Sequence, residues 1–204
     1  MLKKIVLVLL ALPFSLAVPA CHRAPALPAL GDDAVILAFG NSLTRGTGAG
    51  RGSGYPEVLA KLSGRVVVNA GVPGEESDAG LARLPTVLDE VAPDLVILAH
   101  GGNDILRHRD PARTQANLRG MIRLVRDRGA AVVLIGVPKP GIFLAVHPMY
   151  KELAEELDVP IQDEALADIL ADRALKSDQV HPNAAGYRRL ADAVHRLLVE
   201  EGAL

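Results

Sequence analysis

Hydrophobic positions along this chain fall into short uninterrupted runs, separated by longer stretches in which apolar residues recur every three or four places. The short runs predict strands over 34–39, 66–69, 95–100 and 131–137, with a further short strand over 159–161. The longer stretches predict helices over 56–62, 81–91, 111–128, 150–157 and 184–200. Local signals sharpen several ends. Pro56 suits the first turn of its helix, Pro85 marks a kink or early-turn position, and Gly129 closes the long helix. In that long helix Leu118, Ile122 and Val125 share one face. Strands that are apolar throughout are covered on both sides. The alternation of strand and helix therefore predicts an α/β fold with a parallel sheet between two helical layers.

The amino-terminal run breaks this rhythm. Lys3 and Lys4 precede an apolar stretch over 5–18, interrupted by Pro13 and Ser15. A bilayer-spanning helix needs about 20 apolar residues, so the pattern predicts a signal peptide over 1–20. Cys21, the one cysteine of the chain, follows Val18-Pro19-Ala20 and resembles the lipidated residue of a bacterial lipobox. Pro19 departs from the usual residue at its position. Residues 21–32 are rich in Ala and Pro and read as an extended tether. The folded domain is expected over 33–204. The protein is accordingly expected to be exported, either periplasmic or held on a bacterial membrane through Cys21.

Composition narrows the function classes. The chain has 204 residues, enough for one compact domain, with 50% apolar and 23% charged residues. With no Trp, three Phe and three Tyr, the core must be aliphatic. The net charge is -2, and loss of Lys3 and Lys4 with the leader makes it about -4, so no basic footprint for nucleic acid exists. The glycines at every second position from Gly46 to Gly54 fit neither a P-loop nor a dinucleotide fingerprint, and predict a mobile loop. His108, His147 and His195 are scattered, with no metal-binding spacing. No metal or cofactor is expected. His100, at the end of a strand, is expected to be structural, and Asp104 to brace the loop beside it. No exposed apolar seam predicts an oligomer.

In an open α/β sheet, ligands bind beyond the carboxyl ends of the strands. Four polar segments fall there or just before the last helix: Gly40-Asn41-Ser42, the run from Asn69 to Gly74, Gly101-Gly102-Asn103-Asp104, and Asp178-Gln179-Val180-His181-Pro182. Taken singly, each is ordinary turn or capping chemistry. Together they supply an acyl-transfer set. Ser42 is a weak nucleophile until a base removes its proton, and His181 titrates in the right range to do so. Asp178, three residues earlier, can orient the imidazole. The amides of Ser42 and Gly74 and the side chain of Asn103 are candidate donors to an oxyanion.

No Gly-x-Ser-x-Gly elbow is present. Instead, the four blocks, with Gly80-Leu-Ala-Arg-Leu-Pro85 and Asp178-x-x-His181-Pro182-Asn183, resemble the SGNH (GDSL-type) hydrolase family. The similarity extends from about Val35 to Leu198, and within the family the chain resembles the bacterial branch of arylesterases and thioesterase I/lysophospholipase L1. The resemblance implies a three-layer α/β sandwich with a five-stranded parallel sheet of flavodoxin-like order. It also implies a triad of Ser42, Asp178 and His181, with Ser42, Gly74 and Asn103 as oxyanion hole. Asn41 stands where the family usually carries Asp, so the charge beside the nucleophile is lost while the shape is kept.

The expected reaction is hydrolysis of short- to medium-chain carboxylic esters, small-molecule or lipid, with thioesters and lysophospholipids as extensions. Ile142, Phe143, Leu144, Val146, Met149 and Tyr150 offer apolar surface either to the acyl group or to the neighbouring helix. A carbohydrate O-acetylesterase is the enzymatic alternative. A non-catalytic surface-anchored binding protein is the alternative of another class.

Overall fold

The computed structural model describes residues 26–141 and 144–204. The signal segment, Cys21, the start of the tether, Ile142 and Phe143 lie outside the described residues. Five parallel strands build the main sheet: β1 (Val35–Gly40), β2 (Val66–Gly71), β3 (Leu95–Ala99), β4 (Ala131–Ile135) and, as the fifth, the two-residue Ile161–Gln162. The spatial order, by chain position, is second, first, third, fourth, fifth. Each parallel pair needs a crossover. Helices supply them: α1 (Ser42–Arg45) and α2 (Tyr55–Ser63) after β1, α3 (Ser77–Val91) after β2, and α4 (Gly102–Leu106) and α5 (Pro111–Asp127) after β3. After β4 come a two-stranded hairpin, β5 (Pro138–Lys139) with β6 (Ala145–Val146), and then α6 (Pro148–Leu157). The fifth sheet strand, now β7, leads to α7 (Ala165–Ala171), and α8 (Ala184–Glu200) closes the chain.

The side-chain period of two divides each central strand between two cores. Leu37, Phe39, Val96, Leu98 and Leu134 face α3, α5 and α6, meeting Leu84, Leu118, Ile122 and Tyr150. Ile36, Ala38, Ile97, Val133 and Ile135 face α2, α7 and α8, meeting Tyr55, Leu59, Ile169, Leu190 and Val194. Both faces are thus sealed, as the apolar runs required. The second face also takes in Leu27, whose N–H donates to Glu201 O at 3.0 Å, while Leu30 N donates to Ala203 O at 2.9 Å. Residues 27–30, within the segment expected as a tether, therefore lie against the carboxyl terminus.

Several boundaries differ from expectation for identifiable reasons. α3 begins at Ser77 rather than 81, because Asp104, distant in sequence, accepts from Ser77 N at 2.9 Å and caps the added turn. Pro85 lies inside α3, and the helix continues through it. α6 starts at Pro148, with His147 Nδ1 accepting from Met149 N at 3.3 Å. The fourth strand stops at Ile135 instead of 137, where the chain turns into the hairpin. The helices α1, α4 and α7 and the hairpin had no periodicity long enough to announce them.

Close backbone approach at the carboxyl edge fixes the first crossover. A Cβ on Gly71 would lie 2.2 Å from Arg45 N and 2.7 Å from Thr44 C, both backbone atoms that cannot turn aside. Gly71→Ala is expected to reduce the unfolding free energy by about 2–3 kcal/mol. Gly50→Ala, where nothing lies within 4 Å, is expected to change it by less than about 0.5 kcal/mol. Urea titration of the two variants checks this, and equal effects would contradict the contact.

Candidate active site

Ser42 opens α1 immediately beyond β1. Asn41 makes this turn possible, its Oδ1 accepting from Leu43 N at 3.1 Å while its own carbonyl accepts from Arg45 N at 2.9 Å. This is an N-cap, and a neutral amide oxygen serves it as a carboxylate would. The missing charge at position 41 therefore leaves the turn that carries Ser42 formed. Below it, Thr44 is buried and shares a hydrogen bond with the Tyr55 hydroxyl at 3.3 Å. Tyr187 of α8 donates to Thr47 O at 2.8 Å.

The segment before α8 brings the second and third groups. Asp178 Oδ1 accepts from the N–H groups of Val180 and His181 at 2.8 and 2.9 Å, folding the loop around its own carboxylate. Its Oδ2 meets His181 Nδ1 at 2.7 Å, and His181 Nε2 meets Ser42 Oγ at 3.0 Å. Partial burial would raise the Asp178 pKa. The two N–H groups and the imidazole outweigh it and hold this carboxyl below the usual range. An ionised Asp178 accepts the Nδ1 proton, which leaves Nε2 as the acceptor for the Ser42 hydroxyl. Ser177 N and Oγ both donate to His181 O, at 2.9 and 3.2 Å. Asn183 caps α8 through Gly186 N at 3.1 Å and donates to Ala174 O at 2.8 Å.

The glycine-rich loop is part of this support. Gly48 has φ +96°, and a Cβ there would fall 2.1 Å from Ser177 Oγ and 2.6 Å from Pro182 O. The segment expected as a mobile loop thus packs at Gly48 directly against Ser177 and Pro182, which flank the loop that carries His181.

Gly74 and Asn103 come from the next two crossovers. Asn103 Nδ2 donates to Glu75 O at 2.9 Å, which uses one of its two N–H groups. Arg107 Nη1 donates to Gly74 O at 3.1 Å and also pairs with Glu76, to which Arg109 Nε donates at 2.7 Å. Ser42, Gly74, Asn103 and His181 all line one cavity of about 550 Å³. Its remaining walls are largely apolar, including Leu43, Ile105, Leu106, Val137, Leu144 and Leu170. Of the apolar run after the fourth strand, Leu144 faces this cavity, while Met149 and Tyr150 are buried in the core and Val146 packs against it.

Two side chains were expected to be supporting, and the structure gives them partners. Asp104 accepts from Ser77 N and from Ser77 Oγ, at 2.9 and 2.6 Å, tying α4 to the start of α3. His100 is fully buried and stacked on Phe39, with ring centroids 5.9 Å apart. Its Nδ1 accepts from Gly101 N at 3.1 Å, so Nε2 carries the proton that faces Glu75 Oε2 at 3.1 Å. Arg83 grips the same carboxylate at 2.8 and 2.7 Å. Glu75 had no motif to announce it, and Arg83 was visible only as part of Gly80-Leu-Ala-Arg-Leu-Pro85. Among the described residues, no group of three or more His, Cys, Asp or Glu could hold a metal ion.

Burial opposes ionisation of Glu75, but His100 and Arg83 overcome it and lower its pKa from 4.5 to about 2. A depressed carboxylate stabilises the fold in full above the unfolded value, and this contribution disappears as pH falls through the folded one. The stability gap between the wild type and Glu75→Gln should therefore be constant above about pH 4.5 and shrink from there toward about pH 2. Urea unfolding across that range checks this, and a pH-independent gap would contradict it.

Known proteins resemble this chain in sequence and in fold. Residues 38–189 match the model of the GDSL-like lipase/acylhydrolase family. The thioesterase 1/protease 1/lysophospholipase L1 of Escherichia coli K12 is 32% identical over 189 residues, covering 89% of this chain and 88% of the relative. Esterase TesA of Pseudomonas aeruginosa is 32% identical over 172 residues, covering 78% and 85%. A crystal structure of TesA superposes with a TM-score of 0.74 at 31% identity, covering 80% of this chain and 97% of that one. The SGNH-hydrolase family esterase AlinE4 gives 0.62 at 33% identity, covering 84% and 97%. With a family match across most of its length, relatives at this identity and a hydrogen-bonded Ser-His-Asp chain in the cavity, the protein belongs to the GDSL-like (SGNH) acylhydrolase family and is a carboxylic ester hydrolase.

Proposed function

We propose that Ser42 is the nucleophile of a double-displacement ester hydrolysis. The observation that carries this reading is the unbroken chain of hydrogen bonds from Asp178 through His181 to Ser42 at the wall of an apolar cavity. In the first half-reaction His181 Nε2 takes the Ser42 proton as Oγ bonds to the substrate carbonyl carbon. Asp178 stays ionised and holds the imidazolium. The carbonyl oxygen becomes an oxyanion that accepts from the N–H groups of Ser42 and Gly74 and from Asn103 Nδ2. As the tetrahedral species collapses, the C–O bond to the alcohol breaks and His181 gives its proton to the leaving oxygen. Water, deprotonated by the same imidazole, then attacks the acyl-enzyme, and acid is released with Ser42 restored.

The cavity supports short- to medium-chain acyl groups. Its apolar walls match a hydrocarbon chain, and Leu106 lines it while remaining 44% exposed, so apolar surface extends to the rim. The curated relatives include an arylesterase of Vibrio mimicus, 30% identical, which supports aryl esters as substrates. Thioesters and lysophospholipids are extensions of the same chemistry, in line with the thioesterase and lysophospholipase names of the Escherichia coli relative. For location, the reading rests on the sequence before the described domain. Lys3, Lys4 and the apolar run support export, and Cys21 supports a lipid anchor on a bacterial membrane.

A panel of p-nitrophenyl esters from acetate to palmitate tests the proposal on wild type and Ser42→Ala. The expected result is highest kcat/KM at short to medium chains and a loss of about 1000-fold or more in Ser42→Ala. Turnover that does not depend on Ser42 would overturn the nucleophile assignment. Activity confined to acetate would point to an O-acetylesterase, and no activity on any ester would leave the binding-protein reading.

A further inference from the structure

Two of the three donors assigned to the oxyanion, Gly74 and Asn103, stand on separate crossovers, and Glu75 is the residue that connects them. It follows Gly74 directly in the chain. Its main-chain carbonyl accepts the Asn103 side-chain N–H at 2.9 Å. We propose that Glu75 is a positioning residue, whose clamped carboxylate fixes the separation and aim of the Gly74 amide and the Asn103 amide. This rests on the oxyanion-hole assignment above and names what holds it in place.

The clamp is anchored to three strands. Arg83 donates to Glu75 through Nε and Nη2, donates to Ala70 O of β2 at 3.1 Å, and lies 4.2 Å from the centroid of the Phe39 ring of β1. His100, at the end of β3, reaches the carboxylate through Nε2, and its carbonyl accepts from the buried Tyr150 hydroxyl at 2.7 Å. The Glu75 side chain is only 7% exposed. A charged hydrogen bond is about twice as strong as a neutral one, and these partners are themselves immobilised by packing. The Glu75 peptide cannot rotate without breaking three side-chain contacts to the carboxylate. An Asn amide has a soft terminal torsion, so a fixed carbonyl acceptor is what restricts its rotation and leaves its second N–H a single direction. Arg107, donating to Gly74 O, restrains the same peptide run from the solvent side. Oxyanion donors act only if aimed before the charge develops, and this cluster supplies the aim.

A double-mutant cycle between Glu75 and Asn103 tests the proposal, with p-nitrophenyl butyrate as substrate. Glu75→Ala is expected to lower kcat by about 10- to 100-fold, with KM changed by less than about twofold. Affinity for a trifluoromethyl ketone, which forms a tetrahedral oxyanion on the serine, should fall in parallel with kcat. In an Asn103→Ala background the same substitution should cost clearly less than in the wild type, because one of the two groups it positions is gone and only the Gly74 amide is left to misplace. Glu75→Gln, which keeps the shape and an acceptor for His100, should show the same non-additivity with a smaller loss. It carries the test if Glu75→Ala does not fold. Losses that multiply fully across the two backgrounds would overturn the proposal in favour of a general loss of structure. A loss in Asn103→Ala with no loss in either Glu75 variant would overturn it alone. Wild-type kcat in Asn103→Ala would overturn the oxyanion assignment and the inference with it.

Discussion

A single hydrogen bond joins residues 139 positions apart: His181 Nε2 to Ser42 Oγ, at 3.0 Å. Each partner reaches that point by a different kind of restraint. Ser42 is placed by a strand end, an Asn41 cap and a helix of one turn packed on Gly71. His181 is placed by a loop that wraps the Asp178 carboxylate and leans on Gly48. The sheet serves as the ruler between them. Its two buried faces set where β1 ends and where α8 begins, and α8 is tied back to the Thr47 carbonyl through Tyr187. Catalytic geometry tolerates errors of well under an ångström. The amount of buried side chain behind these two loops is therefore a functional requirement as well as a source of stability.

The same economy governs the electrostatics. Three carboxylates near the site are each engaged by several donors. Asp178 is held by two backbone N–H groups and an imidazole, Asp104 by Ser77 and Thr114, and Glu75 by Arg83 and His100. Only the first of these touches the histidine that faces Ser42. The other two act on main chain, starting a helix and fixing a peptide. Asp104 and Glu75 are buried, and buried polar groups cost free energy unless partnered. The cavity itself keeps largely apolar walls, and the Asp104 and Glu75 carboxylates lie outside its lining.

Much of this was legible in the residues. The strands announced themselves because sealing both faces requires apolar runs, and α5 and α8 because their amphipathic periods are long. Ser42, Asp178 and His181 were legible because their positions beyond strand ends and before α8 give ordinary turn sequences a joint meaning. What escaped has a common cause. The start of α3 at Ser77 depends on Asp104, and the role of Glu75 depends on its carbonyl, which has no residue signature. Gly48 looked like a mobile-loop glycine, because its neighbours Ser177 and Pro182 are remote in sequence. Short elements such as α4, α7 and the β5–β6 hairpin are stabilised by what they pack on, and a local pattern cannot show that.

The central claim is that the His181 loop makes Ser42 the reactive serine. Covalent labelling with a fluorophosphonate, followed by peptide mass spectrometry, measures this directly. One phosphonyl adduct per chain is predicted, on the peptide containing Ser42, with its rate of formation lowered by about 100-fold or more in His181→Ala. An adduct on another residue, or labelling of Ser42 at an unchanged rate in His181→Ala, would contradict the account.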